Sequence, residues 1–99
     1  MILEIAQIDI KPGSESAFEA AVGEAAPLFL AAKGCHGLEL QRGIEHASRY
    51  LLVVKWETVE DHMVTFRESP AFARWRELAG GHFAGPADVR HVETVVAAG

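Results

Sequence analysis

The sequence predicts an α+β domain with the element order βαββαβ, and three observations predict it. Residues 2–10, 49–56 and 87–96 are rich in Ile, Leu and Val and have strand composition. Phe18, Ala21, Val22, Ala25, Leu28, Phe29 and Ala32 recur with the spacing of one helix face. Residues 49–56 are apolar at both parities, as in a central strand buried on two sides.

The elements follow in order. Polar Glu4, Gln7 and Asp9 are interspersed in strand 2–10, and Lys11-Pro12-Gly13 breaks it. Ser14 reads as a helix N-cap, and Glu15 suits the first turn through the helix dipole. Pro27 should kink that helix or split its last turns, and Gly34 ends it. Residues 37–43 alternate apolar and polar as a second strand, and 44–48 form a polar connection to the strand at 49–56. A second helical region runs from about Val59 to Leu78, broken at Pro70, with Ser69 capping its second piece. After a loop containing Gly80-Gly81 and Gly85-Pro86, residues 87–96 alternate Val and Thr with Arg90, His91 and Glu93 as the last strand.

Right-handed crossovers leave few arrangements for this string. The leading one is a ferredoxin-like split βαβ unit, an antiparallel sheet with both helices on one face. The bare face then needs a cover, and a second copy supplies it, giving a homodimeric α+β barrel. The 99 residues read as one domain, and 49% of them are hydrophobic, rich for a small chain with a thin core.

Charge and composition narrow the function classes. The net charge is −5, from 14 acidic and 9 basic residues, with no basic cluster beyond Arg74 and Arg76. A phosphate-tracking nucleic-acid surface is not expected. No apolar run approaches the roughly 20 residues that span a bilayer, so no membrane role is expected. Cys35 is a lone cysteine and fits a reducing compartment. The start of the chain does not read as a signal peptide, so a cytoplasmic location is expected.

The centre of the chain carries the candidate chemistry. Trp56 closes a strand and Glu57 to His62 open a helix, which brings a large ring and a histidine together. If His62 faces the sheet, its imidazole can take a proton from a phenol near neutral pH. The plainer reading is a half-exposed histidine helping the helix start. Trp56, Phe66, Phe72 and Trp75 can wall a flat cavity, or simply fill the core. Arg74 and Arg76 can steady a phenolate by charge, or stand in solvent. Glu4, Asp9, Glu39 and Glu93 read as solvent-facing or salt-bridged strand carboxylates. Cys35 and His36 are neighbours on an extended segment and point apart, so they make no nucleophile pair. His36, His46, His62, His82 and His91 show no metal-binding spacing, so no metal is expected.

Lys11-Pro12-Gly13, Gly34-Cys35-His36-Gly37, Val53-Val54-Lys55-Trp56-Glu57 and Ser69-Pro70-Ala71-Phe72, in this order and spacing, resemble the antibiotic-biosynthesis monooxygenase family and its small quinol monooxygenases. The resemblance covers nearly the whole chain. It implies a dimeric α+β barrel that oxidises phenols, anthrones or quinols with dioxygen and no cofactor, in a site between sheet and helices. On that reading His62 is the catalytic residue, as base or hydrogen-bond partner. Trp56, Phe66, Phe72, Arg74 and Trp75 contact a small aromatic or quinone-like ligand. The chain departs from the family where Phe66 and Ala71 stand in place of histidines. The alternative is therefore a non-catalytic binding or stress-associated barrel. A haem-degrading branch has an asparagine on strand 1, absent here, and an iron-binding histidine where Arg76 stands. Haem binding is correspondingly disfavoured.

Overall fold

The computed structural model describes residues 1–99 and gives four strands and two α-helices. They are β1 (Ile2–Asp9), α1 (Glu15–Leu30), β2 (Cys35–Arg42), β3 (Arg49–Trp56), α2 (Pro70–Ala79) and β4 (Asp88–Val92). One π-helical turn, Asp61–Phe66, stands between β3 and α2. The strands form one antiparallel sheet in the order β2-β3-β1-β4. This is the ferredoxin-like order, with β2 and β4 at the edges.

Alternation along the central strands sorts the residues into two layers. Glu4, Ala6, Ile8 and Ile10 on β1 and its extension are buried under the helices. So are Tyr50, Leu52, Val54 and Trp56 on β3. Phe18, Val22, Ala25 and Phe29 of α1 and Trp75 and Ala79 of α2 complete this core. The opposite parity, Leu3, Ile5, Leu51 and Val53, is only half-buried, because no layer of this chain lies over it.

The ends of the elements depart from expectation in four places. Ser14 makes no side-chain capping bond; Glu15 instead accepts from the Gly13 N–H at 3.0 Å. Pro27 does not split α1, which runs unbroken to Leu30, and its carbonyl accepts from the Ala31 N–H at 3.0 Å in the last turn. β2 starts at Cys35 rather than 37, after which a bulge shifts the pairing between Cys35 and Gly37. β4 stops at Val92 rather than 96. Val92 pairs with Leu3, and β1 has only one more strand residue to offer beyond it. Ser69 does cap α2, accepting from the Phe72 N–H at 3.4 Å, with Pro70 in the first turn.

Candidate active site

The site is built on β1. Glu4 occupies the inward parity of that strand, among Ala6, Ile8 and Ile10, so its carboxyl is carried into the core. Only 5% of it is exposed. Its cross-strand neighbours are Val54 on β3 and His91 on β4, while Ile2, two residues back, pairs with Trp56. The Trp56 indole N–H donates to Glu4 Oε1 at 3.0 Å. Trp56 is fully buried, and this bond satisfies its one polar atom.

His62 arrives from the π-turn. Thr58 Oγ1 accepts from the Asp61 N–H at 3.0 Å and starts the turn, and Arg67 N–H reaches His62 O at 3.2 Å in the wide i to i+5 pattern. Both His62 and Phe66 then face inward. Gly34 holds this segment against the α1–β2 connection. Its φ of +80° suits glycine, and a Cβ there would overlap the Asp61 carboxylate. His62 lies parallel to Trp56, with ring centres 5.3 Å apart. Its Nε2 is 3.2 Å from Glu4 Oε1, and its Nδ1 hydrogen-bonds His91 Nε2 at 2.8 Å.

A cavity of about 380 Å³ opens beside this cluster. That lies in the range of small-molecule pockets, roughly 300–1,000 Å³. Glu4 and His62 line one part of it. Ala6, Ile8, Leu52, Phe72, Trp75, Phe83 and Val89 supply an apolar wall, and Arg67 and Arg76 add two guanidinium groups. Those two arginines make no ion pair within the chain, whereas Arg42, Arg49, Arg74 and Arg90 each meet a carboxylate. A second groove of about 350 Å³ lies beside Pro27, Leu28, Phe66 and Ala71, with Lys33 as its one ionisable group. Its other polar side chains are the hydroxyls of Thr65 and Ser69, and it holds no buried titratable group, so the cavity at Glu4 is the candidate site.

Burial decides the protonation states. It pushes the Glu4 carboxyl up to about 7, against the pull of the Trp56 N–H and the Arg67 charge. It pushes the His62 imidazole down to about 4, helped by the positive charge of His91 and Arg67. The 3.2 Å contact is therefore between a carboxyl and a neutral imidazole near neutral pH, not a charged pair, because desolvation outweighs the mutual attraction. His62 has no nitrogen free for a ligand. One faces Glu4 and the other is held by His91. Glu4 Oε2, in contrast, has no partner in the chain, and no such atom is sealed from solvent.

The structure brings together some of the sequence candidates and separates others. His62, Phe72 and Trp75 line the cavity. Trp56 stands behind His62 and Glu4 rather than on the wall. Phe66 packs among Phe29, Trp56 and Phe72 in the core. Arg74 turns outward to Glu24 and Glu77. Cys35 and His36 do part: His36 pairs with Glu57 at 2.7 Å, and the half-buried Cys35 thiol reaches Gly37 O. Glu4, read from the sequence as solvent-facing or salt-bridged, is buried. His91, weighed from the sequence only as a metal ligand, instead bonds His62, and Arg67 carried no signal in the sequence.

Comparison with known proteins agrees with this architecture. The profile described as "Antibiotic biosynthesis monooxygenase" matches residues 1–78. YczJ of Bacillus subtilis (strain 168), an uncharacterized protein, is 37% identical over 95 residues, covering 96% of this chain and all of that protein. A Bordetella bronchiseptica crystal structure, assigned by name to the antibiotic biosynthesis monooxygenases, is 54% identical with a TM-score of 0.95. The match covers 96% of this chain and 97% of that one. A Nitrosomonas europaea protein of the same assignment shares the fold at 16% identity, with a TM-score of 0.84 over 99% of this chain and 93% of that one. The matched profile and the near-complete overlap with these relatives place this chain in the antibiotic biosynthesis monooxygenase family.

Proposed function

We propose that this protein is a cofactor-independent monooxygenase acting on a phenolic, quinol or polyketide-like aromatic compound. The observation that carries the reading is an apolar cavity ending on a buried carboxyl–imidazole pair. An apolar, partly aromatic wall suits a flat ring, and a carboxyl that titrates near neutrality suits removal of a phenolic proton. The resulting phenolate is electron-rich enough to pass an electron to dioxygen. One oxygen atom then becomes a carbonyl at a ring carbon that loses its hydrogen, and the other leaves as water with that hydrogen and the phenolic proton. Arg67 and Arg76 supply positive charge where the phenolate and reduced oxygen develop.

Oxygen uptake with a panel of hydroquinones and anthrones tests this. Uptake above a buffer control, at least tenfold lower in Glu4→Gln, supports the reading. No uptake above the control with any compound overturns it. Tight binding of the same compounds without uptake would support the second reading, a non-catalytic binding barrel. That reading is favoured by the absence from the cavity of any imidazole with a free nitrogen.

The same proposal places two copies face to face in the cytoplasm. Leu3, Ile5, Leu51 and Val53 form a half-buried apolar strip on the bare side of the sheet, flanked by Glu39, Gln41 and Lys55. A second sheet laid on it would hide that strip. Sedimentation at micromolar concentration should give twice the chain mass of 10.7 kDa; a well-folded single chain would refute it. No helix is long and apolar enough to cross a membrane.

A further inference from the structure

Glu4, His62 and His91 come from β1, the π-turn and β4, and meet in one line. Glu4 Oε1 lies 3.2 Å from His62 Nε2, and His62 Nδ1 lies 2.8 Å from His91 Nε2. The line starts at the cavity and ends on a partly exposed histidine of an edge strand. A ligand in the cavity gives Glu4 and His62 a purpose. It gives His91 none, since His91 does not line the cavity.

Counting donors and acceptors leaves two arrangements. Trp56 can only donate, so Glu4 Oε1 accepts from it in both. A neutral imidazole has one donor and one acceptor nitrogen. With Glu4 ionised, His62 carries its proton on Nε2, facing the carboxylate, and His91 donates from Nε2 to His62 Nδ1. With Glu4 protonated, the carboxyl O–H faces His62 Nε2. His62 then donates from Nδ1 to His91 Nε2, and His91 carries its own proton on Nδ1. The second arrangement holds one proton more than the first.

We propose that Glu4 is the base of the cavity and that His62 and His91 relay its proton to and from solvent. This rests on the reading of the cavity as the place where a phenol loses its proton. The second arrangement discharges first: Glu4 O–H gives its proton to His62 Nε2 while Nδ1–H passes to His91 Nε2 and His91 Nδ1–H passes to water, which leaves Glu4 ionised and the histidines in the first arrangement. In the step that follows, the phenolic O–H bond breaks, its electron pair stays on the ligand oxygen, and the proton joins Glu4 Oε2, which then hands it to the reduced oxygen. The reverse sequence reprotonates Glu4 from solvent and restores both tautomers. The two histidines are positioning residues that carry protons, because neither needs to touch the ligand.

Other groups around the line fit this use. Trp56 from β3 fixes the carboxyl, Arg67 closes the π-turn, and Arg76 from α2 faces the same cavity. The Arg67 charge acts on Glu4, His62 and His91 alike. It disfavours a resident imidazolium, so the proton moves by exchange of tautomers rather than by resting on His62.

The test is nitrogen NMR of the protein labelled at histidine, from pH 5 to 9, with no ligand. His62 should stay neutral throughout. Its proton should move from Nδ1 to Nε2 as the pH rises through neutrality, with His91 changing in the same transition. Glu4→Gln should hold one tautomer across the range. A single His62 tautomer at every pH in the wild type, or an imidazolium above pH 5, would overturn the relay. A kinetic arm uses dithranol as probe. His91→Ala should lower kcat several-fold with KM unchanged, and imidazole added to the buffer should restore it; a His91→Ala enzyme at full speed would also overturn the relay. The tautomer switch in a protein that oxidises nothing would remove the monooxygenase reading and leave the relay. Oxidation without the switch would do the opposite.

Discussion

The two faces of the sheet are made by alternate residues of the same strands, yet they differ in what covers them and in what they bury. On the covered face, Ala6, Ile8, Leu52 and Val54 pack under the helices, and a carboxyl and an imidazole are buried among them. On the bare face, Leu3, Ile5, Leu51 and Val53 are half-buried and share the surface with Glu39, Gln41 and Lys55. A buried titratable group costs free energy, so its presence on the covered face calls for a task. An apolar strip left half in water calls instead for a second layer.

Neighbouring leucines on β3 sharpen this contrast most. Leu52→Ala should cost about 2–5 kcal/mol in denaturant unfolding, the usual range for a filled core site. Leu51→Ala should change the stability of a single chain by no more than about 1 kcal/mol and weaken self-association instead. Equal losses of stability at the two positions, with no change in sedimentation, would break the distinction.

Within the covered face, Trp56→Phe removes the donor to Glu4 while keeping most of the ring. It should cost about 1–3 kcal/mol and raise the Glu4 midpoint further, both readable by combining melting curves with carboxyl NMR. Glu4→Gln should act through pH. The folded-state value of Glu4, about 7, lies above the unfolded value of 4.5. The unfolded chain therefore releases its proton first, and the contribution to stability is lost as pH rises through 7. His62 opposes this. Its lowered value, about 4 against 6.5, costs stability as pH falls from 6.5 toward 4. Relative to wild type, Glu4→Gln should gain on the order of 3 kcal/mol between pH 4 and pH 8, from the size of the Glu4 shift. A constant difference across that range would contradict the burial of an ionisable Glu4.

The smallest effects separate the arginines. Arg74→Gln should leave stability within about 0.5 kcal/mol and the Glu4 midpoint untouched, because Arg74 pairs outside with Glu24 and Glu77. Arg67→Gln should raise the Glu4 midpoint, because it removes the one cation that favours the carboxylate.

Much of the fold was legible because period and parity are local. The helix face of α1, the Ser69 cap and the buried parity of β3 follow from spacing, whereas the other parity of β3 is only half-buried in the single chain. The end of β4 was not legible, since it is set by where β1 runs out. The site was legible in part. Trp56 and His62 lie close together in the chain, and they do stack. Glu4 was misread although a signal existed. Gln7 and Asp9 fall on the outward parity of β1, but Glu4 falls with Ala6, Ile8 and Ile10 on the inward one. A carboxylate on the apolar parity of a strand is a mark of a buried acid. His91 could not be found that way, because its partner on β1 is a matter of register between distant strands.

The most direct single test is the titration of the Glu4 side-chain carboxyl carbon by NMR in the ligand-free protein. The account predicts a midpoint near 7, shifted by Trp56→Phe. A midpoint near 4.5, the ordinary carboxylate value, would mean that Glu4 is well solvated and that the cavity has no base poised for neutral pH.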